Sequence, residues 1–302
     1  MIGVLAGVGV RAQAPRSLVG TWTLTGVERA GAGGAMIAQP LPRGVAIFDA
    51  AGHAFELAET GRRVPYGTNQ PTPAEAQAVY SNYSGFWGGY TADLDKKRIT
   101  YRPEGAVSPN AMGRDVVRDI ELTGDRLVVT ATPNEADGQS GTRWTWERVP
   151  PLATISAANR TLIGFWRHVV EKRVNLDTGA VLSQTERAPS VIVYSASGFV
   201  GVHFPPKNRV RFASMLPTDE EAQAAIRGFV SYYGAYTLAR DAVFHHRLII
   251  LGTAPADTLK RFFTIANDTL TLHFPPVRNP QGQQVRTEVT LTRVSGAKDM
   301  IP

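Results

Sequence analysis

Five of the chain's six histidines fall in its second half: His168, His203, His245, His246 and His273. An imidazole titrates near neutral pH, so a histidine that faces a cavity beside a tyrosine can act as a general acid or base. Arg261 can bind a carboxylate or an enolate oxygen. The residues with the chemistry for catalysis are therefore His168, Tyr236, His245, His246 and Arg261. Trp87, Tyr90, Tyr194, His203, Tyr232 and Tyr233 are the aromatic and imidazole groups suited to lining a ligand. Each has a plainer reading beside it. A lone inward histidine is more often a hydrogen-bonded core group, and a tyrosine is more often a cavity wall.

Other chemistries drop out. The chain has no cysteine, which excludes disulfides, thiolate nucleophiles and iron–sulfur clusters. A metal site needs three convergent ligands, and neither His-x-His nor His-Glu-x-x-His occurs, so no metal is expected. No Gly-x-Ser-x-Gly elbow occurs, and the Gly-rich run from Ser84 to Gly89 lacks the Lys-Ser/Thr end of a phosphate loop. No cofactor is expected.

The elements that must position these residues come next. The 302 residues, 43% hydrophobic and 19% charged, suit two globular domains. The net charge of +6 is uneven: residues 16–150 carry 14 basic and 15 acidic groups, residues 151–302 carry 17 and 11. The basic residues are dispersed, without the clustering of a nucleic-acid surface, so no nucleic acid is expected. Carboxylate-bearing small molecules fit this excess better. No apolar run reaches the length of a membrane-spanning helix. Ile2 to Val10 is a short apolar stretch ending near Ala12-Gln-Ala14, which reads as a secretory signal over residues 1–14 and implies a periplasmic or secreted protein.

The chain is also a duplication. Leu18-Val-Gly-Thr-Trp22 matches Leu162-Ile-Gly-Phe-Trp166, and Glu75-Ala-Gln-Ala matches Glu221-Ala-Gln-Ala. Phe86-Trp-Gly-Gly-Tyr90 matches Tyr232-Tyr-Gly-Ala-Tyr236, Asp125-Arg-Leu matches Asp268-Thr-Leu, and both halves close on Arg-Val. The matches keep their order at offsets of 143–146. They divide the chain into a repeat over 15–150, a linker at 151–159 opened by Pro150-Pro151, a second repeat over 160–295, and a tail at 296–302. Within a repeat, Asp49-Ala-Ala-Gly52 and Ser195-Ala-Ser-Gly198 read as hairpin turns, and Thr72-Pro-Ala-Glu75 and Thr218-Asp-Glu-Glu221 as helix starts. The rest alternates as short strands, about eight per repeat. That pattern predicts an all-β fold in which each repeat is an antiparallel sandwich or a closed β-barrel with one short helix, and eight strands closed into a barrel leave room for one small ligand.

The ordered motifs resemble the bacterial lipocalin-like domain family. The first repeat supplies Leu18, Gly20, Trp22, Pro42, Gly44, Ile47, Phe48, Gly52, Glu75, Tyr90, Arg118, Leu127 and Val129. The second supplies Leu162, Gly164, Trp166, Pro189, Tyr194, Gly198, Glu221, Tyr232, Gly234, Tyr236, His245, Arg261, Leu270 and Leu272. The resemblance implies an eight-stranded barrel, a ligand cavity, and structural roles for Trp22, Trp166 and Arg118. It points Trp166 inward, and with it His168; it favours His245 as the inward member of its pair, whereas the polarity of Arg247 favours His246. His273 alternates outward, and Arg261 has a second reading as a cap over Trp166. The family implies no particular reaction. The function so implied is exported binding of a small apolar or aromatic molecule, including carboxylate-bearing ones, by a protein of undetermined oligomeric state. The alternative is a cofactor-independent isomerase, cyclase, hydratase or lyase built on the second-repeat histidine, tyrosine and arginine group.

Overall fold

The computed structural model describes residues 17–61, 66–68, 70–132, 141–214, 216–251 and 257–300. The leader expected at residues 1–14 lies outside them. The first half contains β1 (Gly20–Ala30), β2 (Met36–Ala38), β3 (Arg43–Phe48), β4 (His53–Glu59), α1 (Pro73–Asn82), β5 (Tyr83–Asp93), β6 (Arg98–Ala106), β7 (Val116–Thr123), β8 (Arg126–Ala131) and β9 (Thr142–Val149). Antiparallel pairing runs β1-β3-β4-β5-β6-β7-β8-β9, and β9 returns to β1 to close eight strands. β2 adds only to the far end of β1.

The second half repeats the plan with α2 (Ala157–Leu162), β10 (Gly164–Asn175), β11 (Val181–Thr185), β12 (Val191–Tyr194), β13 (Phe199–Phe204), α3 (Asp219–Ile226), β14 (Val230–Leu238), β15 (Ala242–Leu251), β16 (Thr258–Ala266), β17 (Thr269–His273), β18 (Val277–Arg278), β19 (Gln284–Arg293) and α4 (Ala297–Met300). Here the ring is β10-β12-β13-β14-β15-β16-β17-β19, closed by β19 on β10. The expected all-β tandem of barrels is present. Local chemistry explains its punctuation. Both capping boxes form, with the Thr72 and Thr218 hydroxyls accepting from the N–H of Glu75 and Glu221. Gly52 and Gly198 take positive φ of 91° and 81° at the two equivalent hairpin turns.

One end of each barrel is sealed. Trp22 is fully buried, donates its indole N–H to Leu18 O at 2.9 Å, and lies 4.1 Å beneath the Arg148 guanidinium. Arg148 in turn donates to the carbonyls of Val19 and Ser17, both at 2.6 Å. Trp166 and Arg293 repeat this, with 2.7 Å to Leu162 O and 4.0 Å between ring and guanidinium. The covering arginines are thus those of the terminal Arg-Val pairs. Arg261, whose second reading was a cap over Trp166, and Arg118, expected as a structural residue, sit inside the barrels instead.

The barrels do not stand apart. Alternation sends Ala46 and Phe48 of β3 into the first barrel and Val45 and Ile47 out of it, yet all four are buried. β12 does the same, with Ile192 and Tyr194 inward and Val191 and Val193 outward. The outward sets meet in one apolar core with Phe55, Leu57, Trp87, Tyr233, Ile249 and Leu251. α1 and α3 contribute Val79 and Ile226 to the same core. Polar contacts fasten its edges: Tyr83 to Ser231 at 3.1 Å, Trp87 to Pro189 O at 3.2 Å, and Arg167 to Glu104 at 2.6 Å. The segments expected as linker and tail are part of this assembly. Leu152 donates to Ala196 O at 3.0 Å, and the Ala50 N–H donates to Asp299 O at 2.7 Å while Met300 is buried in the shared core.

Gly201 marks a close approach between the two barrels. A Cβ there would fall well inside van der Waals contact of the Phe55 ring of the other barrel. Gly201→Ala is expected to cost about 1–3 kcal/mol in denaturant unfolding, the usual price of overpacking. In a Phe55→Leu background the same change should cost less, because the two sites share one contact.

Candidate functional site

The first barrel holds a chamber of about 330 Å³ at the end opposite Trp22. α1 lines one side of it with Tyr80 and Ser81, and Phe86, Pro103, Val129 and Trp144 form apolar walls. Glu56, Tyr101 and Arg118 face its space from the strands, beside the hydroxyls of Tyr80, Ser81, Tyr83, Ser84 and Ser108. Glu56 alternates with inward Ala54 and Ala58 on β4, Tyr101 lies on β6, and Arg118 on β7. Desolvation raises the Glu56 carboxyl to about 7 even though Arg118 opposes the shift. Desolvation also raises the Tyr101 phenol well above its usual value, and Glu56 adds to the effect. The Tyr101 hydroxyl is buried without a hydrogen-bond partner. Arg29 stands at the rim, donating to Ser81 O at 3.2 Å.

The second barrel is organised differently around the same positions. His245 is fully buried and lies between two phenols: Nε2 is 2.9 Å from the Tyr194 hydroxyl and Nδ1 is 2.8 Å from that of Tyr232. Desolvation, and then Arg261, hold the imidazole down to about 3, so it is neutral at physiological pH. A neutral imidazole donates from one nitrogen and accepts at the other. One tyrosine O–H therefore donates a hydrogen bond to the unprotonated ring nitrogen, while the hydroxyl oxygen of the other accepts one from the ring N–H. Burial pushes Tyr232 up to about 12 and Tyr194 well above the usual range, with Arg261 pulling the other way. Tyr236 packs edge-on to Tyr194 and donates to Ser195 O at 3.2 Å. Arg261 lies 3.6 Å over the Phe274 ring.

Strand register shows that these are two versions of one site. Tyr90 pairs with Tyr101 where Tyr236 pairs with His245, and Ile99 pairs with Arg118 where Val243 pairs with Arg261. Glu56 pairs with Phe86 where Val202 pairs with Tyr232. The first barrel thus keeps the arginine, replaces the histidine by Tyr101, and places a carboxyl where the second has valine.

Tyr194, Tyr232, Tyr236, His245 and Arg261 are therefore brought together. His246 points outward to the hydroxyls of Thr237 and Thr258, which resolves the inward position in favour of His245. His168 is inward but on β10, four strands from β15 in an eight-stranded ring, hence on the opposite wall. It lies edge-on to Phe204 beside the Arg187–Glu171 pair, its Nε2 has no partner, and desolvation and Arg187 hold it down to about 4. Trp87, His203 and Tyr233, expected as ligand contacts, face away from both interiors. Trp87 and Tyr233 belong to the core between the barrels, and His203 lies on the same outer face, edge-on to Phe229 and 3.4 Å from Ser231. Tyr90 is inside the first barrel, but its hydroxyl is committed to Asp49 O at 2.8 Å. His273 faces outward to Glu288 at 3.4 Å.

Sequence reasoning missed Glu56 and Tyr101. In His-Ala-Phe-Glu-Leu-Ala-Glu the large apolar residues Phe55 and Leu57 mark the face that looks like core, which assigns Glu56 to solvent. The second barrel covers that face, so the assignment inverts.

Two expectations follow from the buried ionisations. The unfolded Glu56 carboxyl titrates near 4.5 and the folded one near 7, so the native state keeps a proton that the unfolded chain has lost. Its contribution to stability is complete below about pH 4.5 and is lost as pH rises through 7, by about 3 kcal/mol in all. His168, His203 and His245 act in the opposite sense, their contribution present above 6.5 and lost on acidification. Comparing wild type with Glu56→Gln cancels the histidines: the variant should gain relative stability between pH 5 and 8, read by urea unfolding at each pH. Nitrogen-15 spectra of histidine-labelled protein should show the His245 ring unchanged and neutral from pH 8 to 5; a protonation step in that window would refute the buried Tyr–His–Tyr arrangement.

The model of the lipocalin-like domain family matches residues 19–149, the whole of the first ring of strands. No curated protein matches the chain. The second ring reproduces the first in strand order, closure and tryptophan–arginine seal. The chain is a tandem of two lipocalin-like barrels, and its first half belongs to the lipocalin-like domain family.

Proposed function

We propose that this protein binds a small apolar or aromatic molecule inside its first barrel. The chamber of about 330 Å³ carries this reading. It has the size of a small-molecule site, mostly apolar walls and a few convergent polar groups. The apolar run from Ile2 to Val10 supports export, and N-terminal sequencing of material recovered outside the cytoplasm tests that.

A second reading, acid–base catalysis without a cofactor, is favoured by one observation: His245 is held between two phenol oxygens with Arg261 nearby. That array could pass a proton along the line Tyr194–His245–Tyr232. Its groups are hydrogen-bonded to each other, whereas the first barrel leaves a buried hydroxyl open to its chamber, so binding there ranks first.

Full-length protein should bind the neutral dye N-phenyl-1-naphthylamine with fluorescence enhancement at one equivalent. Val116→Trp, which fills the chamber wall, should abolish the enhancement, and Tyr236→Phe in the second barrel should not. Undiminished binding by Val116→Trp would defeat the assignment to the first barrel.

A further inference from the structure

The first chamber also carries information about the head group of its ligand. We propose that it is a site for an aromatic monocarboxylate, whose anion is held by the Arg118 guanidinium and the Tyr101 hydroxyl while Glu56 takes up one proton. The inference rests on the first barrel being the binding cavity.

Tyr101 is 3% exposed and its hydroxyl has no partner, although the chamber lies before it. A buried hydroxyl left unpaired costs roughly 1–3 kcal/mol, which a ligand acceptor would recover. Arg118 enters the chamber on the neighbouring strand, paired with Ile99, two residues from Tyr101 on the same face. A guanidinium is the side chain best matched to a carboxylate, because it presents parallel N–H donors. Phe86, Trp144 and Val129 supply flat and apolar walls for the body of the molecule.

Charge bookkeeping then gives Glu56 its part. Among the described residues, the charged groups facing the chamber are Glu56 from β4, Arg118 from β7 and Arg29 from β1; Tyr80 and Tyr83 from the α1–β5 side and Tyr101 from β6 add phenols, and no histidine lines it. With Glu56 ionised, an entering carboxylate would meet a like charge in a desolvated space. Two carboxylates there are tolerable only when one is protonated. The Glu56 carboxyl is already poised near neutrality by burial. Entry of the anion therefore draws one proton from solvent onto Glu56, and the two can share it. The equivalent position in the second barrel is Val202, and the Tyr232 and Tyr194 hydroxyls there are already bonded to His245. The anion site belongs to the first barrel alone.

Calorimetry on the full chain with 2-naphthoate, and with neutral 2-naphthamide as control, tests this in buffers of differing ionisation enthalpy. For the wild type, proton uptake should be near zero at pH 5.5 and near one at pH 8.5, and affinity for 2-naphthoate should fall by roughly tenfold per pH unit above 7. Glu56→Gln should bind 2-naphthoate with neither proton uptake nor pH dependence. Tyr101→Phe should weaken 2-naphthoate by roughly tenfold or more and leave 2-naphthamide less affected. If the wild type binds both compounds equally well, or takes up no proton at pH 8.5, the carboxylate inference is overturned while the binding cavity stands. If the Val116→Trp variant binds both as the wild type does, the cavity reading itself falls.

Discussion

Closure sets the terms for everything else in this molecule. The first strand of each half must pair on one side with the third or equivalent strand and on the other with the last, and an arginine on the last strand then lies across a tryptophan on the first. That contact combines stacking with hydrogen bonds from the guanidinium to carbonyls of the entering chain, so it seals one end of the barrel and fixes where the chain enters. A closed ring has no free edge, and its interior is shut off from water at the sealed end. Any polar group turned inward is then desolvated. The shifted acids and bases of both interiors arise from that condition before any specific partner acts on them.

Duplication has left two interiors with one frame and different contents. An arginine occupies equivalent inward positions in both, at Arg118 and Arg261. In the second barrel the groups around it complete one another: two phenols bond to one imidazole, and the arginine stacks on a phenyl ring. In the first, the phenol has no partner and a carboxyl faces open volume. A satisfied buried network stiffens a core, and a polar group left unpaired in a cavity is open to water or to a ligand. The same fold thereby yields one interior suited to holding its own shape or relaying protons, and another suited to taking in a molecule.

The apolar faces of β3–β5 and β12–β14 add a second layer of dependence. They bury each other, so strands that would normally have one wet face have two dry ones. Gly201 exists as a gap for Phe55, and α1, which lines one side of the first chamber, packs on α3 of the other barrel. That side of the chamber is therefore held by the partner barrel as well as by its own.

Much of this architecture could be read in the residues. Repeated Leu-x-Gly-x-Trp, the hairpin glycines, the two capping boxes and the terminal Arg-Val pairs are local signals, and each depends only on neighbours in sequence: turns need positive φ, caps need a hydroxyl three residues before a carboxylate, strands need period two. The outward direction of His273 follows from that alternation, and so does the inward direction of His168 once the family resemblance turns Trp166 inward. What alternation alone could not decide was which face was core when both were apolar. Val45-Ala-Ile-Phe48 and Val191-Ile-Val-Tyr194 are continuous apolar runs, a sign of burial on two sides, but the sequence does not say what covers the second. Only the docking of one barrel on the other settles it. That contact turned Trp87, His203 and Tyr233 away from both barrel interiors and turned Glu56 into the first. It lies between residues far apart in the sequence, where no local propensity reaches, and so the tertiary structure alone decided where the chemistry of this chain is placed.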